Sequence, residues 1–395
     1  MFDLDKARKL MKRKDIDGLI VSSPENFYYV SDYAGIVFSG KGGTSTVIVP
    51  QDQNQDPAVV VMDWETPYVR RGTWIKDIRS FETWIHIDEE EPKTSSTTKH
   101  HRKPEQFDPL QVISQTLKEK GLEKGNLGVE LESVPHLYYE RLKAAMPKAN
   151  LFDITELLLE MRTIKTPTEI DKFRKAVMIT EKAYTAVMKA AREGATEREV
   201  AKEFRRVVAE SDCWGAGYIQ LGTGVNSGGP HSPFMDPTEH EFKNGDLVRL
   251  DGGVNFQGII TDMCRTWVVG KPSEKQRKLH SALMQGQRKI VQALKPEMKF
   301  SELFKIGLEA VRGGGYPHYT RGHLGHSISY GPFAEEAPFV SAMENRAVSP
   351  NMVLCIESPY YITGFGGINI EDMVLITEDG HEELTKLDRD LHSLG

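Results

Sequence analysis

The sequence predicts an α+β protein of two domains, and three observations lead to this prediction. Apolar runs typical of strands alternate with amphipathic helical stretches over residues 1–160, which favours an α/β domain with a mixed or parallel sheet. A capping box that begins at Thr166 then opens a long helix and marks a domain boundary. Beyond it, residues 246–270 and 351–377 have the pattern of antiparallel hairpins. We therefore expect one domain at residues 1–160 and a second at 161–395.

The hydrophobic pattern of the first domain places its elements. Residues 3–15 form a predicted basic amphipathic helix. Three short β-branched runs are predicted strands, at Gly18–Ser22, Thr46–Pro50 and Ala58–Met62. The polar stretch 88–108 indicates either a solvated surface loop or an arm that reaches a partner subunit.

The second domain begins with two predicted helices. The first carries Ile170, Phe173 and Val177 on its apolar side and is expected to end at Gly194. A second capping box, beginning at Thr196, opens the next helix.

Composition excludes several classes of protein. The 395 residues hold 50 Lys and Arg against 57 Asp and Glu, a net charge of −7 that disfavours a nucleic-acid partner. Three cysteines without a CxxC pair exclude a disulfide framework and a thiolate zinc site. The chain lacks both an apolar run long enough to cross a membrane and an apolar signal segment at its start. We therefore expect a cytoplasmic protein without membrane partners.

The first hairpin carries two aspartates at the edge of its strands. If its turn is centred between Phe256 and Gln257, Asp251 and Asp262 face each other with Cβ atoms ~5 Å apart. Opposed carboxylates destabilise a sheet unless a metal ion, a shared proton or a nearby arginine compensates for their charge. Arg265 follows Asp262 by three residues and therefore points to the opposite face of a strand.

The second hairpin repeats this arrangement with glutamates. One predicted strand, Met352–Ile356, leads into Glu357, and another, Ile368–Leu375, contains Glu371. A turn centred on Gly364 would place the two glutamates opposite each other. Bare charges on such apolar strands are costly to bury, so this pair also indicates a bound cation.

A histidine completes the set, because His326 lies in a glycine-rich segment between the two hairpins. Two Asp, two Glu and one His suit two Mn, Co, Fe or Zn ions. The four carboxylates carry four negative charges, which two divalent ions would balance.

The order of these residues resembles the pita-bread metallohydrolases, a family that includes creatinase, prolidase, aminopeptidase P and methionine aminopeptidase. Residues 161–176 are similar to the entry of the family's catalytic domain, and residues 6–33 to a creatinase-type N-terminal domain. The resemblance implies a C-terminal pita-bread domain, a curved antiparallel sheet covered by helices, after a creatinase-like α/β domain. The ligands of two divalent metal ions that it implies are Asp251, Asp262, His326, Glu357 and Glu371.

The resemblance also implies catalytic roles. Glu357 would move a proton as general base or acid, and His231, in a Gly-Pro-His segment, would contact substrate and stabilise the intermediate. Two positions depart from the peptidase pattern. A second family histidine falls here on Phe333 or Ala334, and an arginine two residues before the last glutamate is Asn369. We expect His323 to replace the missing histidine.

Two functions follow as alternatives. The first is an Xaa-Pro dipeptidase or aminopeptidase that hydrolyses short peptides. The second is a small-molecule C–N hydrolase or osmolyte lyase, which the two departures favour. A binding module without catalysis is disfavoured, because all five implied ligands are kept. The resemblance further implies a homodimer. The residues predicted to line the substrate pocket are Trp214, Tyr330, Phe333, Tyr360 and Asn369.

Overall fold

The computed structural model describes residues 2–34, 45–83, 108–213, 237–331, 335–362 and 364–395. By their contacts these residues divide into two compact units, Met1–Met161 and Arg162–Gly395. The expected arm at 88–108 lies outside the described residues except for Asp108.

The first unit is built on a mixed six-stranded sheet. Its strands are β1 (Gly18–Val21), β2 (Thr46–Pro50), β3 (Ala58–Met62), β4 (Asp77–Phe81), β5 (Asn126–Val129) and β6 (Asn150–Asp153). They lie in the order β4-β3-β2-β1-β5-β6, in which β2 runs antiparallel to both of its neighbours and the other pairs are parallel. The three strands predicted from β-branched runs are therefore confirmed.

Helices accompany this sheet. They are α1 (Leu4–Arg13), α2 (Pro24–Ser31), α3 (Thr66–Gly72), α4 (Pro109–Glu119), α5 (His136–Ala145) and α6 (Thr155–Thr163). Ile113 and Leu117 of α4 and Leu142 of α5 are fully buried in one cluster with strand residues such as Ile20 and Val60. This burial of one apolar side of each helix fixes the helices to the sheet.

The second unit begins with the two predicted helices. Its helices are α7 (Pro167–Ala190), α8 (Glu197–Ala209), α9 (Glu274–Ala293) and α10 (Phe300–Gly313). Both capping boxes are present, with Thr166 bonded to the backbone of Glu169 and Thr196 to that of Glu199. Helix α7 ends before the expected Gly194, because Ala191 adopts an extended backbone.

An eight-stranded sheet forms the centre of the second unit. Its strands are β7 (Leu247–Gly252), β10 (Met263–Val269), β11 (Gly325–Ser327), β12 (Glu336–Phe339), β13 (Val353–Glu357), β16 (Glu371–Ile376), β17 (His381–Glu383) and β18 (Ser393–Leu394). The path is β12-β11-β13-β16-β10-β18, with β7 paired to β10 and β17 to β16. All of these pairs are antiparallel except β10 with β18.

Two short tip hairpins interrupt the predicted strands. They are β8 (Asn255–Phe256) with β9 (Ile259–Ile260), and β14 (Tyr360–Ile362) with β15 (Gly366–Ile368). The strand expected at Ile368–Leu375 is therefore broken after Ile368. Four acids lie at the junctions between the long strands and the tip hairpins: Asp251, Asp262, Glu357 and Glu371. At these junctions their side chains turn towards one region of the sheet.

In the part of the chain that the structure describes, every helix is too short or too polar to cross a lipid bilayer.

Candidate metal centre

A row of side chains crosses the second sheet on one face. The register pairs Glu357 with Glu371, Glu371 with Cys264, and Cys264 with Asp251. Directly opposed residues share a face of the sheet, so three carboxylates and one thiol lie side by side. The predicted opposition of Glu357 and Glu371 about Gly364 is confirmed.

The prediction that Asp251 and Asp262 lie directly opposite each other is wrong, because the centre of the hairpin turn lies one residue further along the chain. Asn255 pairs with Ile260, which centres the turn between Gln257 and Gly258. Both residues have positive φ, 50° and 85°, as a type I′ hairpin turn requires. Glycine adopts this conformation without strain, and this preference moves the turn one residue towards Gly258.

The two aspartates nevertheless share a face. Asp251 lies opposite Cys264, and Asp262 precedes Cys264 by two residues. Carboxylate oxygens of Asp251, Asp262 and Glu371 all lie within 4.8 Å of one another. The sheet therefore brings three of the five implied ligands to one point.

His326 joins this cluster from strand β11. Its Nε2 lies 3.4 Å from Oε1 of Glu371 and 3.9 Å from Oδ2 of Asp262. Its Nδ1 lies 2.9 Å from the carbonyl oxygen of Ser327, a contact that presents Nε2 to the acids as in metal-binding histidines. Gly325 permits this approach: its φ is 146°, and a Cβ there would lie 2.3 Å from the carbonyl oxygen of Cys355.

Burial and mutual repulsion perturb the acids. Burial first, and then the charges of neighbouring carboxylates, raise the pKa of Asp262 and of Glu371 well above their usual values. Burial raises the pKa of Glu357 to about 7. Without a cation the cluster therefore resists full ionisation.

Glu357 has two polar neighbours on the same side. The Nδ2 of Asn369 donates to its Oε2 at 3.2 Å, and Nδ1 of His323 lies 3.3 Å from its Oε1. The other nitrogen of His323 faces Glu335 at 3.6 Å. Burial lowers the pKa of His323. The structure thus brings the expected replacement histidine beside Glu357.

The aromatic residues of the predicted pocket separate into different surroundings. Tyr360 makes edge contacts with Tyr316 and Tyr319 within an apolar core, at centroid distances of 6.1 and 5.5 Å. Tyr361, rather than Tyr360, meets the charged groups of the site. Tyr330 is buried and bridges the tip hairpin at Ile259. The remaining predicted residues, His231, Trp214 and Phe333, lie outside the described residues.

Sequence reasoning did not single out two arginines of the site. Arg249 precedes Asp251 by two residues and forms an ion pair with it, and Arg321 lies 3.9 Å from Glu357. The alternation of side chains along β7 could have shown that Arg249 shares a face with Asp251. Arg321, in an irregular segment, gave no such signal.

The opposite face of the sheet is also charged. Arg265 points there as predicted, and its guanidinium pairs with buried Asp372 at 2.7 Å. It also donates to the backbone carbonyls of Cys264 and Glu371 at 2.8 and 2.7 Å. This arginine therefore holds the strand segments that carry the acids.

The residues present fit a metal ion. Oε1 of Glu371 is buried and has no hydrogen-bond partner among the described residues, and an imidazole nitrogen is directed at it. Hard carboxylate oxygens with one imidazole form a donor set typical of first-row divalent ions. The fold and this donor set together define a metal-dependent hydrolase.

Comparison with known proteins agrees with this class. Residues 171–378 match the model of metallopeptidase family M24, and residues 4–164 match the creatinase/prolidase N-terminal domain. The chain is 30 % identical to the Xaa-Pro dipeptidase of Pyrococcus furiosus over 98 % of its own length and 99 % of that protein. The chain therefore belongs to metallopeptidase family M24.

Solved structures share the fold over nearly the whole chain. The prolidase of Pyrococcus horikoshii OT3 has a TM-score of 0.77 at 27 % identity, covering 98 % of this chain and 99 % of that one. The X-Pro aminopeptidase of Thermotoga maritima has a TM-score of 0.78 at 21 % identity and covers both chains completely. The second unit accordingly has the pita-bread fold, and the first is of the creatinase type.

Proposed function

We propose that this protein is a metal-dependent dipeptidase that cleaves the Xaa-Pro bond of short peptides. The observation that carries this proposal is the convergence of Asp251, Asp262 and Glu371 within 4.8 Å, with His326 at their edge. Relatives that match nearly the full chain carry the names Xaa-Pro dipeptidase and prolidase, which favours this substrate class. The small-molecule alternative is not favoured by these relatives.

Two divalent ions would be held by Asp251, Asp262, His326, Glu357 and Glu371, with Mn, Co, Fe and Zn as candidates. When bound, such ions supply an activated water and polarise a carbonyl. The positive charge also lets the buried carboxylates remain ionised near neutral pH.

Glu357 is the group best placed to move a proton during hydrolysis. It is buried, Asn369 donates a hydrogen bond to its Oε2, and Nδ1 of His323 lies 3.3 Å from its Oε1. His323, partly exposed, could then relay a proton between Glu357 and solvent. His231 is proposed to stabilise the reaction intermediate, on the basis of the family resemblance alone.

We also propose a cytoplasmic homodimer in which each first domain lies near the other subunit's active site. The family resemblance supports this assembly. Light scattering coupled to gel filtration tests it directly: a mass of twice 44.5 kDa is expected, and a monomeric mass would reject it.

Hydrolysis of a panel of Xaa-Pro dipeptides, with and without chelator, tests the activity. We expect turnover that chelation abolishes and added divalent metal restores. Asp262→Asn should abolish turnover, whereas Asp379→Asn, at an exposed carboxylate in a turn, should leave it unchanged. Metal-independent turnover, or no turnover on any dipeptide with full metal occupancy, would reject the proposal.

A further inference from the structure

Two guanidinium groups lie around one tyrosine beside the acids. The Cζ of Arg249 is 5.5 Å from the ring centroid of Tyr361, and that of Arg321 is 5.6 Å from the same centroid. Such contacts orient a guanidinium without using its N–H groups. Tyr361 therefore acts as a platform that holds two positive charges at the edge of the acid cluster.

Arg321 keeps its hydrogen-bonding capacity. Its nearest carboxylate oxygen, Oε1 of Glu357, is 3.9 Å away, which is too long for a hydrogen bond. Its Nε is buried and finds no hydrogen-bond partner among the described residues. A quarter of the side chain is exposed, so a ligand can reach it. A planar guanidinium group with unused N–H donors is suited to bind a carboxylate through two parallel hydrogen bonds.

Arg249 lies deeper and has a different role. Its side chain is only 2 % exposed, and it pairs with the carboxylate of Asp251. Across the sheet it is opposite Thr266, whose hydroxyl is hydrogen-bonded to the backbone of Asn369. Arg249 is therefore held in a fixed position, and its charge adds to the positive electrostatic potential beside Tyr361.

The net charge of the metal-bound centre favours the binding of an anionic ligand. The four acids carry four negative charges, which the two proposed divalent ions would cancel. Arg249 and Arg321 then leave an excess of two positive charges beside the acid cluster. Glu335 offsets part of this, but it faces His323 and its side chain is more than half exposed. A buried excess of charge is costly unless the ligand neutralises it.

We propose that Arg321 binds the C-terminal carboxylate of the peptide substrate, with Tyr361 as its platform and Arg249 as the supporting charge. This inference rests on the proposed function and adds the group that selects the substrate. Arg321 lies beside Glu357, the residue proposed to move a proton, so a carboxylate bound by Arg321 would lie close to the bond that is cleaved. We therefore expect the site to favour short peptides that carry a free carboxylate.

Steady-state kinetics on Ala-Pro and on its C-terminal amide test the proposal. The wild-type protein should prefer the free acid. Arg321→Leu should lower kcat/KM for Ala-Pro by ~10- to 100-fold, mainly through KM, because a charge-assisted hydrogen bond is lost. The same variant should change kcat/KM for the amide by less than about 3-fold, within the scatter expected for an unused contact. Arg321→Lys should recover part of the loss.

Arg206→Leu is the matched control, since it removes the same charge from an exposed ion-paired arginine on α8. It should leave both substrates unaffected. Equal losses of kcat/KM on acid and amide in Arg321→Leu, with metal content intact, would overturn the proposal. So would an unchanged preference for the acid.

Calorimetric titration of the metal-loaded protein with proline separates this inference from the proposed function. Weaker proline binding in Arg321→Leu than in wild type supports the carboxylate site even if no dipeptide is hydrolysed. Equal binding to both proteins overturns the site even if dipeptides are hydrolysed.

Discussion

Glu357 and Glu371 face each other directly across neighbouring antiparallel strands, and both are buried. Two like charges in this position destabilise a sheet unless a cation lies between them. Asp251 and Asp262 belong to the neighbouring hairpin of β7 and β10, and their carboxylate oxygens lie close to that of Glu371. The acid-bearing ends of these strands are therefore expected to gain their stability from bound metal.

Metal should stabilise the wild-type protein and not the variant Asp262→Asn. At a metal concentration ~100 times Kd, linkage predicts about 2.7 kcal/mol of added stability, which chelation removes. Asp262→Asn removes one ligand and one like charge, so its stability should respond little to chelator. Thermal unfolding of both proteins with and without chelator measures this. An equal response of the two proteins would contradict the role of Asp262.

Tyr184 ties together the two strands that carry the aspartates. Its hydroxyl donates towards the carbonyl oxygens of Gly252, at 2.9 Å, and of Met263. Tyr184→Phe leaves these buried carbonyls without that donor and should cost about 1–3 kcal/mol of unfolding free energy. Metal affinity should also fall, because Asp251 and Asp262 adjoin these carbonyls. Denaturant unfolding and metal titration provide the two readouts, and a variant unchanged in both would contradict this role.

The ion pair between Arg265 and Asp372 lies on the face opposite the acids, with both side chains essentially buried. Asp372 would keep Arg389 as a partner, but Arg265→Met also removes the donors to four backbone carbonyl groups, so it should cost about 3–5 kcal/mol of unfolding free energy. Arg346→Met is the control, because its pair with Glu344 involves a half-exposed arginine and should contribute less than about 1 kcal/mol. Chemical denaturation of both variants compares them. Similar losses of unfolding free energy in the two variants would contradict the larger contribution expected of the buried ion pair.

His280 on α9 should make stability fall with acid. Burial lowers its pKa from 6.5 to about 4, so the unfolded chain takes up a proton in that interval while the native protein does not. The stabilisation is present above pH 6.5 and is lost as pH falls towards 4. One unit of pKa difference is about 1.4 kcal/mol, which gives about 3 kcal/mol in total.

His280→Gln, neutral at every pH, should remove this component. Unfolding free energies measured from pH 7 down to pH 4 should then decline less steeply in the variant than in wild type. Parallel pH profiles in the two proteins would contradict the assignment to His280.

Local sequence signals predicted much of the fold. Both capping boxes that open α7 and α8 are present, because they involve residues only three apart. The strands β2 and β3 match their β-branched runs residue for residue. The turn at Gly258 was misplaced by one residue, since a type I′ turn depends on backbone conformation that hydrophobic alternation does not reveal.

The candidate site was partly predictable from spacing. Glu357 and Glu371 are equidistant from Gly364, and this symmetry gave their register. The positions of Arg321 and His323 depend on an irregular segment whose path only tertiary packing determines. Tyr360 and Tyr361 could not be told apart by sequence, because neighbouring residues of a strand face opposite sides and the side was unknown.

Metal content measured together with activity tests the central claim most directly. The purified protein, saturated with Mn, Co, Fe or Zn and then desalted, should retain about two ions per chain, as the balance of four carboxylates requires. Glu371→Gln, which alters a carboxylate close to Asp251, Asp262 and His326, should lose most of this metal and all hydrolysis of Ala-Pro. Wild-type protein that retains no divalent metal, or that hydrolyses Ala-Pro equally well after chelation, would contradict the account.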